Sequence, residues 1–110
     1  MRAKKMIAVA EDPFVGRYLR TLLRRHGFQT VDNEPPITLK LMESGELTPD
    51  LLITNRPDEF AEFADRIGVV YLAAAPDPSV VRPFRHSRTL RKPFQAEDLL
   101  KALDDLASEP

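Results

Sequence analysis

The chain has 110 residues, enough for one domain with a single core and too few for two. It is 43% hydrophobic and 30% charged with a formal net charge of -1, which excludes disorder and argues against bulk attraction to nucleic acid or membrane. Cysteine is absent, so disulfides and thiolate metal sites are excluded, and no apolar run is long enough to span a bilayer.

The start, Met1-Arg2-Ala3-Lys4-Lys5, is basic and leads into an apolar run. That run meets Glu11-Asp12 too soon for a signal peptide, so a cytoplasmic domain is expected. Met6–Ala10 reads as the first strand. A helix follows from about Pro13 to His26, with Asp12 as cap, Pro13 in the first turn and Gly27 as a left-handed stop. Val15, Leu19, Leu22 and Leu23 form its inner stripe. Phe28–Val31 predicts a second strand, and Ile37 to Ser44 a second helix stopped by Gly45. Leu51–Thr54 and Val69–Ala73 are continuous apolar runs, as central strands buried on both faces should be. Between them lies a stunted helix, Asp58–Arg66, with Phe60, Phe63 and Ala64 inward. Ser79–Phe84, between Pro78 and Pro83, allows at most one or two turns. A short strand, Thr89–Arg91, and a last helix, Ala96 to Ala107, complete the order. Leu99, Leu100, Leu103 and Leu106 face the sheet from that last helix.

Alternating strands and helices predict an α/β three-layer sandwich, a flavodoxin-like fold with a five-stranded parallel sheet in one domain spanning 1–110. In that fold the carboxyl ends of the strands gather Glu11, Asp12, Asn55, Ala73 and Lys92 at one rim.

Three pieces of the chain, in order, carry a resemblance: Glu11-Asp12 after strand one, Pro49-Asp50-Leu51-Leu52-Ile53 leading to Asn55, and Lys92-Pro93-Phe94 after strand five. Together they resemble the receiver domain of bacterial response regulators, over nearly the whole chain. The resemblance implies strand order 2-1-3-4-5. A working receiver holds Mg²⁺ with three carboxylates, and one of them takes the phosphoryl group. A lysine pairs with that group, a Ser or Thr at the end of strand four hydrogen-bonds it, and an aromatic residue on strand five turns inward.

Set on this sequence, the resemblance gives a vestigial site. Glu11 and Asp12 match the acidic pair, with helix capping as the structural alternative. Asn55 falls at the acceptor position, and an amide has no anionic oxygen to attack phosphorus. It removes a negative charge that Mg²⁺ favours, so no cofactor is expected and Mg²⁺ binding is doubtful. Asn55 also suits a plain strand-end turn. Ala73 stands at the Ser/Thr position without a hydroxyl, and Thr89 at the aromatic position. Lys92 matches the lysine and can pair with Glu11 or Asp12. Arg56 can reach both carboxylates in place of the metal, or it can point to solvent. Asn55 and Ala73 are only 18 positions apart, shorter than in the family, so the third and fourth helices should be shortened.

Two basic segments are candidate partner surfaces. Arg17, Arg20 and Arg24 recur at helical spacing, near where receivers meet kinase or phosphotransfer partners. Arg82, Arg85, Arg88 and Arg91 precede and enter strand five, on the face receivers use for dimers and output contacts, which admits a homodimer. The alternative for both is a solvated charged face. No P-loop, zinc spacing or recognition-helix pattern is present. The expectation is a non-enzymatic, phosphorylation-independent pseudo-receiver that binds a signalling protein. The runners-up are phosphoryl or metal uptake on another acid (Asp12, Asp50 or Asp58) and a nucleic-acid-linked regulator.

Overall fold

The computed structural model describes residues 5–108. The basic start Met1–Lys4 lies outside the described residues, as do Glu109 and Pro110. Five strands alternate with helical segments: β1 (Met6–Ala10), α1 (Pro13–Arg25), β2 (Gln29–Asn33), α2 (Pro35–Ser44), β3 (Leu51–Thr54), β4 (Gly68–Ala73), β5 (Ser87–Arg91) and α3 (Ala96–Ala107). All the strand pairs are parallel and the order is β2-β1-β3-β4-β5. This is the flavodoxin-like order that the resemblance implies.

The two faces of the sheet bury different halves of each strand, because side chains alternate with period two. Ile7, Val9, Ile53, Val70 and Leu72 face α1 and α3, against Leu19, Leu23, Leu99 and Leu103. Ala8, Ala10, Leu52 and Val69 face the other way, against Met42, Phe60 and Phe63. β1, β3 and most of β4 are buried on both faces, so continuous apolar runs form them.

α1 begins as its sequence dictates. Asp12 Oδ1 accepts from the N–H of Phe14 at 3.0 Å and of Val15 at 3.1 Å. Two otherwise unpaired donors of the first turn are thereby satisfied. Gly27, with φ +84°, ends the helix, and Phe28 N–H donates back to Leu23 C=O.

Several boundaries differ from expectation. β2 begins at Gln29 and runs on to Asn33, because Asp32 and Asn33 pair with Val9 and Ala10 of β1. Ladder pairing overrides the poor strand propensity of those two polar residues. α2 starts at Pro35 rather than Ile37, since a first turn needs no N–H from proline. β5 starts two residues before Thr89.

The third and fourth helices are reduced to 3₁₀ segments, Pro57–Phe63 and Pro78–Val81. Phe60, at φ -112°, kinks the first of these, yet Phe60, Phe63 and Ala64 still turn inward and are buried. Asp77 caps the second by accepting from Ser79 N–H at 3.0 Å. Among the described residues no helix is long and apolar enough to cross a membrane.

Candidate functional site

β1 ends against β2 and β3, so Glu11 leaves the sheet at its carboxyl edge between them. Its side chain is driven inward and Glu11 is only 1% exposed. From the far side, Lys92 follows β5 and its Nζ donates to Glu11 Oε1 at 3.0 Å. The Lys92–Pro93 peptide bond is cis. Of the two partners offered for Lys92 by the sequence, Glu11 is the one it takes.

Glu11 Oε2 is buried and has no hydrogen-bond partner among the described residues. Burial pushes the Glu11 carboxyl above its ordinary value. The hydrogen bond and charge of Lys92 oppose that rise, Asp12 adds to it, and the Asn55 backbone N–H opposes it.

Asp12 points elsewhere. Its carboxylate is exposed and Oδ1 holds the α1 cap. The acidic pair is therefore split, with one member neutralised by Lys92 and the other engaged by backbone. Asn55 follows β3 and is exposed. Together with Asp12, Glu34, Pro35 and Arg56 it lines an open cleft of about 250 Å³. Of the five residues expected at the rim, Asp12 and Asn55 line this cleft, while Glu11, Ala73 and Lys92 do not.

Of the two alternatives for Arg56, the structure takes the outward one. Its guanidinium pairs with Glu59 at 3.1 Å and is 62% exposed, so it does not take the place of a metal between Glu11 and Asp12. The backbone turns Arg56 away, because its N–H donates to Thr54 Oγ1 and Pro57 opens the following 3₁₀ segment. Ala73 ends β4, and its carbonyl accepts from Lys92 N–H at 2.9 Å. That bond holds the β5 exit beside β4 and so aims Lys92 across the rim. Thr89 pairs in register with Tyr71 and is exposed.

The basic stripe of α1 is also only partly available. Arg20 forms an ion pair with Asp32 at 2.9 Å, and Arg24 donates to Thr30 C=O at 3.0 Å. These two join α1 to β2, while Arg17 faces outward. Beside Arg17 stand Phe14, 86% exposed, and Tyr18, 53% exposed. Their exposure was missed in the sequence, although both fall off the Val15-Leu19-Leu22-Leu23 stripe and could have been noticed on that ground. Near β5, Arg82, Arg85 and Arg91 are exposed and Arg88 is half-buried.

No family profile matches the chain, and no curated protein matches its sequence. Solved structures do match. A response regulator receiver protein from Burkholderia phymatum superposes with a TM-score of 0.80 at 21% identity, covering 97% of this chain and 98% of that one. The fold is that of response-regulator receiver domains. A putative response regulator from Chloroflexus aurantiacus gives 0.78 at 16% identity, over 97% of this chain and all of its own. The receiver domain of a sensor histidine kinase from Pseudomonas aeruginosa gives 0.73 at 17% identity, over 97% of this chain and 100% of that one. That domain has magnesium coordinated in its active-site cleft.

The receiver-like fold implies such an ion, and the residues here fit it poorly. Glu11 Oε2 is an unpartnered buried oxygen of the right chemistry. The rest of the donor set is weak, because Glu11 Oε1 already accepts from a cation, Asp12 Oδ1 caps a helix and Asn55 is neutral. Among the described residues, no group of three or more His, Cys, Asp or Glu side chains is placed to hold a metal. Mg²⁺ demands near-ideal octahedral oxygen geometry and dehydrates reluctantly.

Proposed function

We propose that the chain is a receiver-like signalling module that works by protein contact, with no phosphoryl transfer and no bound metal. The observation that carries this is Asn55 at the mouth of a rim whose buried carboxylate is already paired with Lys92. An amide cannot take the phosphoryl group. A lysine held on Glu11 is not free to pair with one. Ala73 and Thr89 lack the hydroxyl and the aromatic ring that would report phosphorylation to the rest of the domain.

The other acids are poorly placed as acceptors. Asp12 holds a cap, and Asp50 accepts from Met6 N–H at the opposite end of the sheet. Asp58 lies in the first turn of a 3₁₀ segment. The scaffold that remains offers surfaces. Phe14, Arg17 and Tyr18 on α1 form an aromatic and cationic patch of the kind that protein interfaces favour.

A direct test is incubation with acetyl phosphate and Mg²⁺ followed by intact-mass measurement. The natural chain should gain no phosphoryl mass, and a gain of one phosphoryl group that hydroxylamine removes, as it would from an aspartyl phosphate, would sink the reading. One observation favours a second reading, in which a cation still visits the rim, namely the unpartnered Glu11 Oε2. Saturable Mg²⁺ binding without phosphorylation would decide for it.

A further inference from the structure

We infer that the outer edge of β5 is a docking strand for an extended acidic segment of a partner protein, which pairs with it as a sixth strand. This deepens the protein-contact reading and rests on it.

Among the described residues β5 is the last strand in the sheet order, and one of its sides carries no strand. The ladder to β4 fixes which backbone groups are spent. Val69 N–H donates to His86 C=O at 3.1 Å, and Lys92 N–H donates to Ala73 C=O at 2.9 Å. In a parallel strand the residues that bond one neighbour alternate with those that face the other side. The even-numbered residues therefore bond β4, and the amides of Ser87, Thr89 and Arg91 point outward. Arg88 agrees with this assignment, because its guanidinium donates to the Ser87 carbonyl at 2.8 Å. The fourth helix, which would flank this strand, is cut to the single turn Pro78–Val81, and Thr89 is exposed.

Charge selects the occupant. From Pro78 to Gln95 the chain has no acidic residue, while Arg82, Arg85, Arg88, Arg91 and Lys92 all fall there. Yet the whole chain is net acidic at -1. A second copy of β5 paired antiparallel about Thr89 would set Arg91 against Ser87 and Arg88 against Leu90, and it would bring two strongly basic segments together. Those charges block self-pairing of an open edge. An acidic strand meets both features, with main-chain bonds for affinity and carboxylates for specificity, taken by Arg85 and by the terminal nitrogens of Arg91, whose Nε already donates to the Ala74 carbonyl at 3.2 Å. A nucleic acid would use the charge and leave the outward amides unpaired.

The test is a ¹⁵N NMR titration with an end-capped decapeptide alternating Glu and Thr, beside its Lys-Thr counterpart and a short DNA duplex. The acidic peptide should give saturable shifts along β5 and slow the amide exchange of Thr89 and Arg91. Thr89→Pro should abolish binding, since it removes an outward N–H and no bond to β4. The double variant Arg85→Glu with Arg91→Glu keeps the backbone and should weaken binding about tenfold. If Thr89→Pro does not fold, the double variant and the exchange pattern still decide. Equal binding of the Lys-Thr peptide, unchanged binding to either variant, duplex DNA binding in the peptide's place, or no response along β5 would overturn the inference. A response confined to α1 would remove the strand inference and leave the protein-contact reading standing. Phosphoryl uptake by the natural chain would remove that reading and leave the β5 readout interpretable.

Discussion

Lys92 Nζ lies 3.0 Å from Glu11 Oε1, so the lysine that crosses the rim of the sheet is neutralised by the carboxylate buried there. The two come from opposite ends of the chain, each just beyond the carboxyl end of its strand, β1 and β5, in one parallel sheet, and both side chains reach across the intervening rim. Lys92 is partly exposed, with 30% of its side chain accessible, while the Glu11 side chain is fully buried. The pair is thus asymmetric, and its two halves should respond differently to mutation.

Lys92→Ala leaves Glu11 buried beside an unfilled gap. Losing one partner of a buried pair is costly, and the partial exposure of Lys92 lets water replace some of it, so the loss should be about 1–2 kcal/mol. Adding Glu11→Gln to that variant should recover most of it. Urea denaturation of the two variants checks this, and a double variant no more stable than Lys92→Ala would contradict it.

The pH dependence of Glu11 follows from burial. Its folded pKa is raised, so the protonated form is the one folding favours. That contribution is complete below the unfolded pKa and is lost as pH rises through the folded value. Relative to Glu11→Gln, the natural chain should lose stability as pH climbs from the acid side through and just above the ordinary carboxylate range. Thermal melts across that window test the sign, and a natural chain that gains on the variant with rising pH would refute it.

Asp12 is predicted to matter chiefly as a cap. Asp12→Ala should cost about 1 kcal/mol, and Asp12→Asn much less, because an amide oxygen can still accept from Phe14 and Val15. Equal losses in both variants, read by denaturant midpoint, would point to a role for the negative charge instead.

Phe60 holds the shortened region to the sheet. It is 0% exposed and packs with Leu52, Phe63 and Val69. Phe60→Ala should destabilise by about 3–5 kcal/mol. A loss under about 1 kcal/mol, the level of a surface change, would mean that the 3₁₀ segment contributes little to the core.

The sheet was legible because burial on both faces demands unbroken apolar runs, and Met6–Ala10, Leu51–Thr54 and Val69–Ala73 supply them. Asp12, Gly27 and Gly45 marked helix ends by local chemistry that needs no tertiary partner. The end of β2 was not legible, since Asp32 and Asn33 are strand only through pairing with Val9 and Ala10, and Asp32 is anchored by Arg20. The site divides in the same way. Lys92 comes from the receiver resemblance, which leaves Glu11 and Asp12 both open as its partner. Arg56 turns to Glu59 for a local reason, the hydrogen bond to Thr54 and the proline after it, which composition does not display.

The most direct measurement is an amide NMR titration with Mg²⁺ and then beryllofluoride, on the natural chain and on Asn55→Asp. The natural chain should show no saturable shifts at Glu11, Asp12 or Lys92. A response gained by Asn55→Asp would identify the amide as the lock on an otherwise intact rim. Saturable shifts around Glu11, Asp12 and Lys92 in the natural chain would contradict the account and make the domain a ligand-controlled switch.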